Sequence, residues 1–517
     1  MKLFRSKAMK AVDALLIGTL GFPEAVLIEN AGRAAAAETA GFLGGAKGRR
    51  IVVLAGKGNN GGDGLAAARF LEKQGALVTV VMAAPPQQPD SGCGLQLRLC
   101  RAFRMQILFW PQDSDRVLAS CTEAAVILDA LLGTSFRGSL REPVRSLIEA
   151  VQKISVPVIA VDIPSGVEAD TGRCELALSA AATVTMIAPK TGLYFYPGAA
   201  HTGKIIVADL NTPEQVLTDA PSRETLLTDA YVRKNFPLRA RNAHKGTNGR
   251  IAILAGSPGY AGAAELASRA AVRAGGGLVT LYTHPGVWQL LAVKSTEVMV
   301  RTASLADAAG DALRLREASV VAAGPGAGKS AEAVSYLRSL LPQLTMPLVI
   351  DADGLNALAG QDALLLGLSR KVLTPHPAEM ARLLGVPLSA VLADPMEAAR
   401  QGAARWQAVV VLKCTPAIIA SPDGRIYVNS TGNEGMATGG TGDVLTGTIA
   451  ALIGQGLPLL EAACCGVYLH GLAGDLAARN GKIGLKAGDL PECLPSAIAR
   501  ILGDGDRTQF ACGLGTW

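Results

Sequence analysis

Through the N-terminal half, short runs of aliphatic and β-branched residues alternate with stretches whose apolar positions recur every three to four residues. The first kind predicts strands at 51–55 (IVVLA), 77–82 (LVTVVM), 125–129 (AVILD), 156–161 (VPVIAV), 183–187 (TVTMI) and 204–208 (KIIVA). The second kind predicts helices at 24–41 and 63–74. Strands that alternate with helices imply a parallel sheet covered on both faces. Between 211 and 247 the pattern lapses into a polar, turn-rich segment, which puts a domain boundary near 222 and divides the chain into 1–221 and 222–505. A second alternating series follows. Its strands are expected at 250–255, 278–282, 319–323, 347–351, 371–374, 408–413 and 416–420, with helices at 261–275, 377–385 and 443–454. The last dozen residues, ending at Trp517, read as an untethered tail, and no internal repeat is evident.

Composition agrees with two domains. Single hydrophobic cores stop growing at roughly 250–300 residues, and this chain has 517, of which 49% are hydrophobic and 18% charged. A net charge of +6 over that length is a mild excess without a basic stripe, so no nucleic-acid partner is expected. The local group Arg239, Arg241, His244, Lys245 and Arg250 reads equally as an anion-facing or a solvated segment. The nine cysteines include no CxxC pair, which favours a reduced cytoplasm over a disulfide framework or a zinc site. The opening MKLFRSKAMKAVDALLIG reads as an amphipathic helix and makes a poor signal peptide, because Asp13 breaks its apolar stretch. No run long enough to span a membrane occurs.

Candidate chemistry gathers at strand ends. The segment AGKGNNGGDG (55–64) follows a strand and precedes a helix, where exposed backbone N–H groups and the helix dipole suit a phosphate. It is not a GxGxxG fingerprint. Asp129 and Asp162 each end a strand, so in a doubly wound sheet they share the crevice beyond the carboxyl ends with that loop. A lone strand-end aspartate is as often a helix cap; three such elements together argue for a site.

In the C-terminal half the densest signal is GNEGMATGGTGDVLTG (432–447). Gly439, Gly440 and Gly442 run into an apolar helix, so the amides of 440–442 form an anion hole beside Asp443. Helix capping would account for Asp443, but not for the glycines and threonines before it. Phosphoryl transfer to an alcohol needs this arrangement, with dipoles to hold the phosphoryl and a carboxylate to take the hydroxyl proton. GPGAGKS (324–330) approximates a P-loop, but Ala323 stands where the first glycine is required, so it reads as a substrate-side turn. DADGLNAL (351–358) places two aspartates at a strand end, and TPHPAEMARLLG (374–385) holds His376 between prolines as a ligand contact. Lys413 ends a strand, whereas His470 sits in a helical pattern and reads as structural. His201 and His284 belong to no constellation.

In combination, IENAGRAA (28–35), GNNGGDG (58–64), DALLGTSFRG (129–138) and DIPSGVEADTG (162–172) resemble the N-terminal domain of the NAD(P)H-hydrate repair family. That resemblance implies a Rossmann-like domain that interconverts the R and S forms of NAD(P)H hydrate. It carries potassium binding onto Asn60, Asp129 and Ser165. It carries substrate binding onto Asn59, Asn60, Gly61, Gly62, Asp63, Gly133, Thr134, Ser135, Phe136, Arg137, Gly138, Ser139 and Asp162, the last being our choice for the proton-handling group. Ser135 stands where family members usually have glycine. The second half, through NAHKGTNGR, GSPGYAGA, DADGLNAL, TPHPAEMARLLG and GNEGMATGGTGDVLTG, resembles the ribokinase-like fold and, more closely, the ADP-dependent NAD(P)H-hydrate dehydratases. Here the resemblance implies binding of the hydrate by Ala263, Gly326, His376 and Asp443. It implies binding of ADP with Mg2+ by Lys413, Cys414, Thr415, Pro416, Ala417 and Gly442. Asp443 is then the catalytic base, and AMP, phosphate and NAD(P)H are the products. Cys414 replaces the usual glycine after Lys413, and Glu434 a usual proline. The implied partners are NADHX, NADPHX and ADP, in a homo-oligomer. Two rivals stand beside this reading: a ribokinase-like small-molecule kinase, for which the same anion hole and aspartate would serve, and a non-catalytic nucleotide-binding scaffold.

Overall fold

A computed structural model describes residues 1–86 and 88–503; the expected tail lies outside the described residues. The chain divides into two compact units, Lys2–Glu224 and a second from Thr225 onward.

In the N-terminal unit the sheet runs, edge to edge, Gln106–Phe109, Leu77–Met82, Arg50–Ala55, Val126–Ala130, Val158–Val161, Ala182–Met186 and Lys204–Ala208. Every neighbouring pair is parallel. The central strands are buried along their length because helices cover both faces, which is why they read as continuous aliphatic runs. The edge strand Gln106–Phe109 escaped the sequence reading, since a four-residue run with an exposed glutamine gives little periodicity. One expectation is corrected. The glycine-rich segment is no open loop, for the helix starts at Asn59 and runs to Lys73. Gly61 lies inside its first turn, and a Cβ there would meet the Gly56 carbonyl oxygen at 2.0 Å. The glycine therefore serves close backbone approach rather than loop mobility.

The C-terminal unit repeats the plan. Its sheet runs Met299–Thr302, Leu278–Thr283, Arg250–Leu254, Val320–Ala323, Leu348–Ile350, Lys371–Leu373, Val409–Leu412, Ile418–Ala420 and Ile426–Val428. It is parallel as far as Val409–Leu412 and antiparallel beyond. Its core is built around the helices Thr441–Gly454 and Leu459–Ala477, both apolar on nearly every side. Neither is long and apolar enough to cross a membrane, nor is any other helix among the described residues. In each unit the strand order reverses direction beside the first strand, at Arg50–Ala55 and at Arg250–Leu254. A crevice opens beyond the carboxyl ends of the strands at such a point.

Candidate active sites

The N-terminal crevice is a cavity of about 860 Å³. Asn59, Asn60, Asp63, the stretch Gly133–Arg137, Ser139 and Asp162 line it. Gly61, Gly62 and Gly138 do not; the first two are buried under the helix start, and the Gly138 N–H donates to Glu168 Oε1 at 3.0 Å. Arg137 reaches the wall but is held by Asp170 at 2.6 Å.

Behind the wall, hydrogen bonds join the three residues expected to hold a cation. Asn60 Nδ2 donates to the Leu132 carbonyl at 2.8 Å, and the Leu132 N–H donates to Ser165 Oγ at 2.9 Å. Ser165 donates its hydroxyl to Asp129 Oδ1 at 2.6 Å and its N–H to Oδ2 at 2.8 Å. Asp129 is fully buried; burial pushes its carboxyl up to about 6, against the pull of the Ser165 and Leu131 hydrogen bonds. Asn60 Oδ1 is buried without a hydrogen-bond partner. Native interiors rarely leave such an acceptor unmet unless an ion or water meets it.

Asp162 sits at the mouth of the next strand with φ 69°, a left-handed conformation that a non-glycine residue rarely adopts. Its Oδ1 accepts from the Met186 N–H at 3.1 Å, from Thr185 Oγ1 at 3.4 Å and from the Lys190 ammonium. Burial, and then the Asp162 charge, hold the Asp63 carboxyl well above its ordinary range. Asp13 is also raised, chiefly by burial, with Lys190 opposing. Sequence reasoning missed Lys190 and Asp13 as wall residues. Lys190 carried the same signal as the aspartates, a charged residue just past a predicted strand.

The C-terminal cavity, of about 370 Å³, brings together Ala263, Gly326, His376 and Asp443, with Asp353, Glu379, Lys329 and Arg382 also in its wall. His376 is the N-cap of the helix Pro377–Leu384. Its Nδ1 accepts from the N–H groups of Ala378 and Glu379 at 3.2 and 3.3 Å. That leaves the proton on Nε2, 3.4 Å from Glu379 Oε1 and half exposed toward a ligand.

The helix Thr441–Gly454 begins after Gly440, which is left-handed at φ 98°, and no side chain caps it. Its first N–H groups are thus left for an anion. Asp443 is no cap; it stands in the first turn and faces the cavity. Burial, reinforced by the charge of Asp351 and opposed by Lys413, pushes it up to about 7. Lys413 Nζ pairs with Asp351 Oδ1 at 2.5 Å and lies 4.0 Å from Glu379 Oε2. Thr446 Oγ1 donates to Asp351 Oδ2 at 2.8 Å. A Cβ at Gly442 would stand 3.3 Å from Lys413 Nζ, so the lysine lies beside the uncapped helix start. Cys414, Thr415, Pro416 and Ala417 follow Lys413 but do not line the cavity. Cys414 is half-buried, with its thiol pushed up to about 12 by burial. Glu434 is exposed and pairs with Lys482 at 2.8 Å. His470 Nε2 reaches the Thr441 carbonyl at 2.9 Å and so anchors the helix start, a structural contact.

A family model described as YjeF-related protein N-terminus matches residues 24–192, and one described as NAD(P)H-hydrate dehydratase matches 251–496. The bifunctional NAD(P)H-hydrate repair enzyme of Moorella thermoacetica is 42% identical over 531 residues, covering 100% of both chains. The chain belongs to the bifunctional NAD(P)H-hydrate repair enzymes. The member from Escherichia coli is 34% identical, over 86% of this chain and 84% of its own. A solved relative of the repair enzyme's C-terminal half is the ADP/ATP-dependent NAD(P)H-hydrate dehydratase from Bacillus subtilis, co-crystallised with ATP/Mg2+. It is 34% identical, with a TM-score of 0.49, over 54% of this chain and 98% of that one.

Proposed function

We propose that the N-terminal unit interconverts the R and S epimers of hydrated NADH and NADPH, and that the C-terminal unit dehydrates the S form with ADP. The observation that carries the reading is Asp443. It is a carboxylate tuned to about 7, in the first turn of an uncapped helix, in one cavity with His376. A base poised near neutrality can take a hydroxyl proton at working pH.

In the dehydration, hydroxide is a poor leaving group from the hydrated ring. Asp443 takes the ring hydroxyl proton, and the oxygen attacks the β-phosphorus of ADP, releasing AMP. The first-turn amides and Lys413 bear the charge that moves across the phosphoryl oxygens. The carbon–oxygen bond then breaks, pushed by the ring nitrogen lone pair, and phosphate leaves. Loss of a proton from the neighbouring carbon restores the dihydropyridine. Asp353 and Glu379, the oxygen donors in the wall, would help to hold a magnesium ion brought in with the nucleotide, which would neutralise phosphate charge.

In the epimerisation, Asp162 is the proton-handling group. The carbon bearing the hydroxyl adjoins the ring nitrogen. Removing the hydroxyl proton lets the carbon–nitrogen bond open to an aldehyde, with the bonding pair going to nitrogen. Reclosure on the other face returns pair and proton. The unmet Asn60 Oδ1, with Asp129 and Ser165 in the same network, supports a potassium site at this crevice. Potassium there would supply a fixed positive charge for the substrate's phosphates.

The test is to give purified protein ADP and a mixture of R and S hydrates and follow the absorbance of reduced nicotinamide. Asp443→Asn is expected to stop its recovery. Asp162→Asn is expected to leave recovery from the S form and slow the R form to its uncatalysed rate. A near-native rate in Asp443→Asn, or native R conversion in Asp162→Asn, overturns the assignment concerned.

A further inference from the structure

The two oxygens of Asp162 are not equivalent. Oδ1 accepts all three donors that reach the side chain: the Met186 N–H, the Thr185 hydroxyl and the Lys190 ammonium. Among the described residues no hydrogen bond reaches Oδ2, and the carboxylate is 13% exposed in a cavity wall. The backbone is pinned as well, since the Asp162 N–H donates to the Val184 carbonyl at 2.7 Å and holds the residue at φ 69°.

Lys190 is the other half of this arrangement. Its side chain is 2% exposed, and a buried ammonium is tolerated only when paired and fully hydrogen-bonded. Its three donors go to Asp162 Oδ1, to Thr185 Oγ1 at 3.1 Å and to the Met186 carbonyl at 2.8 Å. An ammonium has three donors and no acceptor, so none is left for a substrate. Lys190 can therefore act on the reaction only through Asp162. The other charged groups in the same cavity wall are of both signs, Asp13, Glu24, Asp63 and Glu142 beside Lys10, Lys57, Arg137 and Arg141. Among the described residues, Lys190 is the cation that bonds to the Asp162 carboxylate itself.

We propose that Lys190 is a positioning residue for the epimerisation, clamping Asp162 through Oδ1 together with the Met186 amide, so that Oδ2 is the atom that takes and returns the ring hydroxyl proton. This rests on the reading of Asp162 as the proton-handling group. The proton moves from the hydroxyl to Oδ2 as the carbon–nitrogen bond opens, and back from Oδ2 as it closes, so Lys190 keeps its own protons throughout.

The experiment uses the full chain, with turnover of purified S hydrate as the check on the C-terminal unit and amide hydrogen exchange in the Lys2–Glu224 unit as the check that each variant is folded there. Lys190→Met keeps the stem and removes the charge. Its epimerase kcat is expected to fall ~100-fold or more, with KM changed less than about threefold. The acid limb of its kcat profile is expected to move up by about one pH unit or more, since the cation paired with Oδ1 is then gone. Thr185→Val, which removes one acceptor from Lys190, should move kcat and the limb the same way by less. The double variant Asp162→Asn, Lys190→Met should be no slower than Asp162→Asn. Native kcat and limb in Lys190→Met overturn the proposal. So does lost activity with an unmoved limb, or a double variant slower by the full Lys190→Met factor. The two readings fail separately: native epimerisation in Asp162→Asn removes the base itself, whereas an inactive Asp162→Asn beside a native Lys190→Met removes only the clamp.

Discussion

Asp443 makes a prediction about both rate and stability. Burial and the charge of Asp351 raise its carboxyl to about 7, with Lys413 opposing and Asp353 adding a smaller push. If the ionised form is the base, roughly a tenth of the enzyme is competent at pH 6 and roughly nine-tenths at pH 8. Dehydration kcat/KM should therefore rise about tenfold across that interval and flatten above it. Asp443→Asn should lower the rate ~10²–10⁴-fold and erase the limb. The same raised value bears on folding. The native state binds the proton more tightly than the unfolded chain, so stability falls as pH climbs from about 4 to about 7. A lift of about three units corresponds to at most ~4 kcal/mol, and for this half-exposed side chain screening leaves ~1–2 kcal/mol. Asp443→Asn should thus be more stable than the native chain at pH 8, with the advantage shrinking toward pH 5. Steady-state rates from pH 5.5 to 9 and denaturant melts at pH 5 and 8, both spans set by the limb at about 7, measure the two effects. A flat native profile through neutrality, or an Asp443→Asn variant destabilised at pH 8, refutes the reasoning.

Asn60→Ala removes the buried unmet oxygen. Epimerisation should lose its response to potassium over lithium, and ~10-fold or more of its rate, while turnover of purified S hydrate stays native; parallel assays in the two salts read this. Gly442→Ala brings a Cβ to 3.3 Å from Lys413 Nζ, so the ammonium must give way by a few tenths of an ångström and its pairing with Asp351 should weaken. The nucleotide KM is expected to rise ~10-fold, with a less well compensated Asp351 driving the Asp443 limb to higher pH, as nucleotide titrations at several pH values would show.

Much of the fold was legible because parallel strands buried on both faces announce themselves as aliphatic runs. Val126–Ala130 and Val158–Val161 stand where the pattern put them. The pattern failed where a strand was short or partly exposed. Met299–Thr302, with two exposed polar residues, and Ile426–Val428, with only three residues, gave no periodicity to read. The start of Asn59–Lys73 was missed because glycine has a poor helical propensity, and tertiary packing against Gly56 overrode it. Of the site, the residues on tight turns were visible, since glycines and strand-end acids mark them. Asp13 was not, because it is brought in by long-range packing that no local spacing encodes, whereas Lys190 follows a predicted strand and Glu379 stands three residues after His376 in one capping box.

The two strand-end aspartates show most plainly what sequence cannot rank. Asp162 and Asp351 both follow an aliphatic strand, and both are paired with a lysine. Yet Asp351 has Oδ1 engaged by Lys413 and Oδ2 by Thr446, and is 1% exposed. Buried as it is, with both oxygens engaged, this carboxylate presents neither to a substrate, so its part is to hold Lys413 in place and, by its charge, to raise Asp443. Asp162, among the described residues, has only Oδ1 engaged by hydrogen bonds and stands in the cavity wall. One motif thus yields a scaffold in one half and, in the other, the carboxylate proposed as the base. The distinction turns on a second hydrogen bond, from Thr446, a residue 95 positions further along the chain.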